Sequence, residues 1–301
     1  MSSQVYQCVF CGPRASTRSH QYFKNENLAA DELGPFANSQ VVVCNQCDVG
    51  TIFPICTSEA LRQFYSSVYI KNNFLENSSN VREVYSRAAS QYVESVAPKF
   101  EVAGRDIVEI GANATGWSLL SHKLSARSYS YFDAQRSESI DALGGVYRGF
   151  FDTDSLGLLG DQSVDLVVLS HSFEHLLITE AGSLTKGLHR VINKGGYLFI
   201  EVPIEIGGSK VEIVPPHTLF FTPSSLEKFL SDRGFHIDSV ERVERGHSSW
   251  LREYRAVRAI FFIYRRVLSH VGNIGFNNLL KQLSRAYFSN TPCVRILARR
   301  L

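Results

Sequence analysis

The chain has 301 residues, 44% of them hydrophobic and 20% charged, with a formal net charge of +2. That length and apolar content suit one large domain, or one with a small module attached, and exclude a disordered chain. The near-neutral total hides an asymmetry: from Arg242 onward twelve basic residues face two acidic ones, so residues 1–241 carry −8.

The start, MSSQVYQ, has neither a basic n-region nor an apolar h-region, and a cytoplasmic protein is expected. The longest apolar runs, such as AIFFIY at 259–264, are too short to span a bilayer. Four of the six cysteines fall in two Cys-x-x-Cys pairs, Cys8 with Cys11 and Cys44 with Cys47. Each pair places two thiolates on one side of a turn, and two such knuckles complete a tetrahedral zinc site. QVVVC before the second pair reads as a strand and TIFP after it as the return, which makes residues 1–58 a zinc ribbon. Four cysteine ligands leave no open position, so this Zn2+ is expected to be structural. Residues 59–100 read as a helical linker.

From Asp106 strands and helices alternate. DIVEI (106–110) is a short buried strand, 111–116 a glycine-containing turn, and a helix starts near Trp117. SYSYFDA is a second strand ending near Asp133, and GGVYRGFFD a third ending at Asp152. SVDLVVLS is the fourth, GGYLFIEVP the fifth and GFHIDSVERVE the sixth, with a helix over about 174–192. Thr222, Pro223 and Gly234 bound another helix. CVRILARRL at the end suits a seventh strand, with AIFFIY the alternative. The expected fold is α/β: a doubly wound, mostly parallel seven-stranded sheet over 101–301, preceded by the ribbon, with ligands at the carboxyl ends of the strands.

The stretches VEIGANATG, YFDA, GFFD, SVDLVVLSHSFEHL, VINKGGYLFIEVP and HTLFFTPSSLEKFLSDRGF resemble, in that order, class I S-adenosylmethionine-dependent methyltransferases. With the cysteine pairs and LRQFYSSVYIKNN, the chain is similar to the bacterial subgroup with an N-terminal zinc ribbon that serves surface-polysaccharide and deoxysugar biosynthesis. The resemblance implies S-adenosyl-L-methionine as cofactor. It assigns Glu109, Gly111 and Gly116 to the methionine end, with Asn113 where a second glycine is usual. It puts Asp133 on the ribose hydroxyls, Asp152 on the adenine amino group, and Ser170 and His171 beside the sulfonium.

HSFEH (171–175) also matches a zinc-peptidase pattern, but His171 follows directly on a buried strand, so no established helix presents both histidines. For methyl transfer a neutral imidazole is the simplest base. His217, fixed behind Pro215 and Pro216, is the first candidate, with His175 and His171 as rivals.

Residues 248–290 form an insert in which Trp250, Tyr254, Val257, Phe261, Tyr264 and Leu268 recur at helical spacing, with arginines on other faces. Such a basic amphipathic helix serves packing, a homodimer contact, an anionic membrane surface or a phosphate-bearing substrate. The expected substrate is a sugar or lipid-linked glycan. The alternatives are an RNA methyltransferase and a non-catalytic homologue. Against nucleic acid, residues 1–58 hold three basic groups and four acidic ones, with no basic stripe.

Overall fold

In the computed structural model the described residues are 6–12, 15–21, 34–36, 39–69, 92, 96, 98–112, 116–206, 216–244 and 292–301. By compactness the chain divides into residues 1–242 with 294–301, and residues 243–293. Of the second unit only 243, 244, 292 and 293, at two strand ends, are described. The basic insert at 248–290 and the AIFFIY run lie outside the described residues.

Strands β1 (Thr17–Gln21), β2 (Gln40–Cys44) and β3 (Gly50–Phe53) form an antiparallel meander. Val41, Val43 and Ile52 are buried in it together with Phe36, Phe64 and Phe220. Helix α1 (Ser58–Phe64) is capped by Thr57, whose Oγ1 accepts from Ala60 N.

The main sheet contains β4 (Asp106–Ile110), β5 (Ser128–Phe132), β6 (Val146–Tyr147), β7 (Val164–Ser170), β8 (Ile192–Pro203), β10 (Phe235–Glu244) and β11 (Pro292–Arg300). Their order across the sheet is β10-β11-β8-β7-β4-β5-β6. The pairs β4–β5, β4–β7, β5–β6 and β7–β8 are parallel. Sequence order reverses on either side of β4, which places a crevice at the carboxyl ends of β4 and β7. The last strand is 292–300, inserted between β8 and β10, as CVRILARRL predicts.

β4 and β7 are buried on both faces, as central parallel strands must be. Helices α2 (Trp117–Lys123), α3 (Glu138–Asp141), α4 (Ile178–Val191) and α5 (Pro223–Ser231) connect the strands. In α4, Ile178, Ala181, Leu184, Thr185, Leu188 and Val191 form the buried stripe. α5 starts with Thr222 and Ser225 in a reciprocal capping box and Pro223 in its first turn, and it ends at Ser231, three residues before Gly234 with φ +86°.

Three expectations are corrected in detail. The third strand is Val146–Tyr147 and does not run to Asp152, because Gly144 and Gly149 bracket it at φ +87° and +108°. The helix expected from 174 starts at Ile178. Thr218 takes the carbonyls of Glu174 and Leu176 that a continuous helix would need: Thr218 N donates to Glu174 O (2.8 Å) and Thr218 Oγ1 to Leu176 O (2.6 Å). A fourth ribbon strand, β9 (Leu219–Phe220), comes from far along the chain and pairs antiparallel with β3. No helix among the described residues is long and apolar enough to cross a membrane.

Candidate active site and metal centre

Cys8, Cys11, Cys44 and Cys47 each place a sulfur so that all four lie within 4.8 Å of one another. Cys8 Sγ and Cys47 Sγ are 3.8 Å apart, and a tetrahedron of thiolates at 2.3 Å from zinc has an edge of about 3.8 Å. The donor set fits zinc. The knuckles are built by Gly12 N donating to Cys8 O (2.8 Å) and Asp48 N to Cys44 O (2.9 Å), with φ +79° at Gly12 and +55° at Asp48. Arg18 braces the second turn through Asp48 (2.8 Å) and Asn45 (2.9 Å). Arg233, at the end of α5, lies over Phe10 of the first knuckle and over Phe229. The cysteine module is therefore packed onto the main domain.

At the carboxyl ends of the central strands, Glu109 on β4 is wholly buried and accepts from the Tyr129 hydroxyl. Burial, then the Glu109 charge, raises that phenol's pKa well above its ordinary value. Gly111 follows at φ +77° and donates its N–H to Phe132 O (2.8 Å). Gly116, at φ +85°, is the N-cap of α2. Asn113 lies outside the described residues. Asp133 follows β5, held by its N–H to Gly149 O (3.0 Å). Asp152 lies five residues beyond β6 as the N-cap of a 3-10 turn, where its carboxylate accepts from Ser155 N and Oγ. Those bonds hold its pKa below the usual carboxylate range, and Arg62 of α1 stands 3.4 Å away. A positive-φ turn after the first strand and an acid after the second suit a dinucleotide-like cofactor, and these residues fit S-adenosylmethionine.

Ser170 ends β7, and its Oγ shares a 2.8 Å hydrogen bond with Tyr92, whose ring stacks on Trp117. His171 follows at φ +54°, its N–H bonded to Glu201 O (2.9 Å). Its Nε2 meets Glu201 Oε1 at 2.7 Å and its Nδ1 lies 3.3 Å from Glu174 Oε1. Glu201 also accepts from Arg295 Nε. His175 sits on the 3-10 turn Phe173–His175, with its ring centroid 4.9 Å from that of His217. His217 Nδ1 meets Glu205 Oε2 at 2.8 Å. Burial lowers the pKa of His175 to about 4. For His217 burial pulls the same way, but Glu205 outweighs it and the pKa rises. Burial would raise Glu174, but the surrounding imidazoles hold it at about 2.

The structure thus brings His171, His175 and His217 to one cluster beside the Gly111 turn, on three buried carboxylates that the residue patterns did not single out. Glu201 carried a signal, an acid within the apolar run LFIEVP; Glu205 and Tyr92 carried none.

Residues 149–200 match the family model described as a methyltransferase domain. A search of curated proteins finds no match. Among solved structures the chain is similar to a chain of the Haloferax volcanii complex that contains the Trm112 methyltransferase activator (TM-score 0.51, 11% identity, 79% of this chain and 96% of that chain). It is also similar to an S-adenosylmethionine-dependent methyltransferase from Mesorhizobium loti (TM-score 0.46, 18% identity, 72% and 100%) and to one from Archaeoglobus fulgidus (0.46, 18%, 72% and 94%). At 11% identity the first of these likenesses speaks to the fold alone, which the strand order supports independently. The chain therefore has a seven-stranded Rossmann-like fold, within which residues 149–200 match the methyltransferase-domain model.

Proposed function

We propose that the protein transfers a methyl group from S-adenosylmethionine to a hydroxyl of a sugar or lipid-linked glycan. The observation that carries this reading is the placement of the histidine cluster at the same end of the sheet as Gly111, Asp133 and Asp152. The bound cofactor supplies an electrophilic methyl on sulfonium. Glu109, Gly111 and Gly116 hold its methionine end, with Ser170 and His171 beside the sulfonium. Asp133 takes the ribose hydroxyls and Asp152 the adenine amino group. His217, with His175 beside it, activates the acceptor oxygen. The cofactor would supply its methyl to that oxygen, and the oxygen's proton would pass through the histidine cluster to water.

A phosphate-bearing acceptor or an anionic membrane surface agrees with the basic C-terminal fifth, and the absence of a basic stripe in residues 1–58 argues against RNA. Incubation with labelled cofactor and a panel of nucleotide sugars, lipid-linked oligosaccharides and RNA tests the reading. Label is expected in a glycan. Label in RNA alone would replace the substrate, and cofactor binding with no transfer to any acceptor would favour a non-catalytic homologue.

A further inference from the structure

We propose that Glu174, His175 and His217 bind a divalent first-row transition cation, separate from the cysteine-bound zinc, through which the acceptor hydroxyl is activated. The proposal rests on the methyltransferase reading for this role, but not for the binding itself.

The first support is geometric. The three residues each offer a ligand atom, and these atoms lie within 4.8 Å of one another. For ligands at about 2.1 Å in a tetrahedron the donors sit about 3.4 Å apart, so rotamer-scale shifts close the three side chains on an ion. The second is the tautomer. Glu205 accepts at His217 Nδ1, which puts the lone pair on Nε2. A carboxylate behind an imidazole is the usual way a metal-binding histidine is oriented and made more basic.

The third support is Glu174 itself. It is 1% exposed; its Oε1 has His171 Nδ1 at 3.3 Å, and its Oε2 makes no hydrogen bond among the described residues. A buried carboxylate in that condition is costly unless a cation meets it. The fourth is charge. Among the described residues Glu174, Glu201 and Glu205 are buried in one cluster with Arg295, three carboxylates beside one guanidinium. A divalent ion suits such a cluster; the competing solution is imidazolium ions.

Two imidazoles and one carboxylate form a borderline donor set that suits zinc, cobalt or manganese better than calcium. Three protein ligands leave positions open for the acceptor's oxygen, unlike the closed four-cysteine site. A cation-bound hydroxyl loses its proton to water more readily as the new carbon–oxygen bond forms.

The test is Co2+ titration of the zinc-loaded protein, followed by visible absorption, with S-adenosylmethionine calorimetry on the same preparation. One equivalent is expected, with ligand-field bands and no thiolate charge-transfer band. The bands should vanish in Glu174→Gln and His217→Ala, and Glu205→Gln should weaken binding by about 10- to 100-fold. Asp133→Ala should keep the Co2+ bands. No equivalent in the wild-type protein, or one that survives both ligand variants, overturns the proposal. Cofactor binding without Co2+ would leave imidazolium ions as the neutralising charges. Co2+ binding without cofactor binding would instead overturn the methyltransferase reading and leave the cation site standing.

Discussion

Ser172 closes directly over Gly111. Its Oγ donates to Ile110 O at 2.6 Å, and its Cβ lies 2.6 Å from where a Cβ at Gly111 would stand. The glycine is required by the chain's own turn, as well as by its φ of +77°. Gly111→Ala should destabilise the domain by about 2–5 kcal/mol, combining left-handed strain with overpacking. Ser172→Gly in that background should recover the overpacking part and leave the strain. Denaturant unfolding of the single and double variants checks this; a Gly111→Ala protein as stable as wild type would refute it.

The four sulfurs lie within 4.8 Å of one another, with Cys8 and Cys47 at the 3.8 Å edge of a zinc tetrahedron. Metal analysis is expected to return one tightly held zinc per chain at the cysteines, and Cys44→Ser should lose it. Because Arg233 and β9 tie the module to the main domain, the melting temperature of the whole unit should fall with the zinc. Intact stability after zinc loss would show that the contact carries no energy.

In the proposed cofactor site Asp133 receives the ribose diol. Asp133→Ala should weaken S-adenosylmethionine binding by about 10- to 150-fold, the scale of a hydrogen bond to a charged group. Calorimetry reads the change directly, and unchanged affinity would remove Asp133 from the cofactor site.

At the other end of β4, Asp106 accepts from Arg127 and from Ser128 Oγ (2.7 Å), and Arg127 above all holds its pKa below the usual carboxylate range. A depressed folded-state pKa gives stability that is fully present above the unfolded value near 4 and lost as pH falls through the folded one. Asp106→Asn should lower stability at neutral pH and flatten the loss below pH 4. Unfolding midpoints across that range test the sign.

The strands were legible because DIVEI, SVDLVVLS and CVRILARRL are largely apolar runs of strand length between clear breaks. The turn at Gly111 was legible because a positive φ demands glycine. The carboxylates behind the histidines were not legible in the same way. Glu174 lay in view inside HSFEH, but its burial depends on Thr218, forty-four residues later. Glu205 joins His217 across a segment whose length says nothing about its path. β9 is two residues long, too short for any periodicity, and exists because Gly50 and Thr51 offer it an edge.

That two-residue strand also limits how the protein can be divided. Thr218 donates to Glu174 O and Leu176 O, and its own carbonyl accepts from Thr51 Oγ1 and Ile52 N, so one residue fastens the cysteine module to the turn bearing His175. Excising residues 1–58 would strip the partner from Leu219 and Phe220 and loosen the loop that positions His217. Exchange of the ribbon between related enzymes would have to carry 216–221 with it, so the unit of inheritance is discontinuous in sequence although continuous in space.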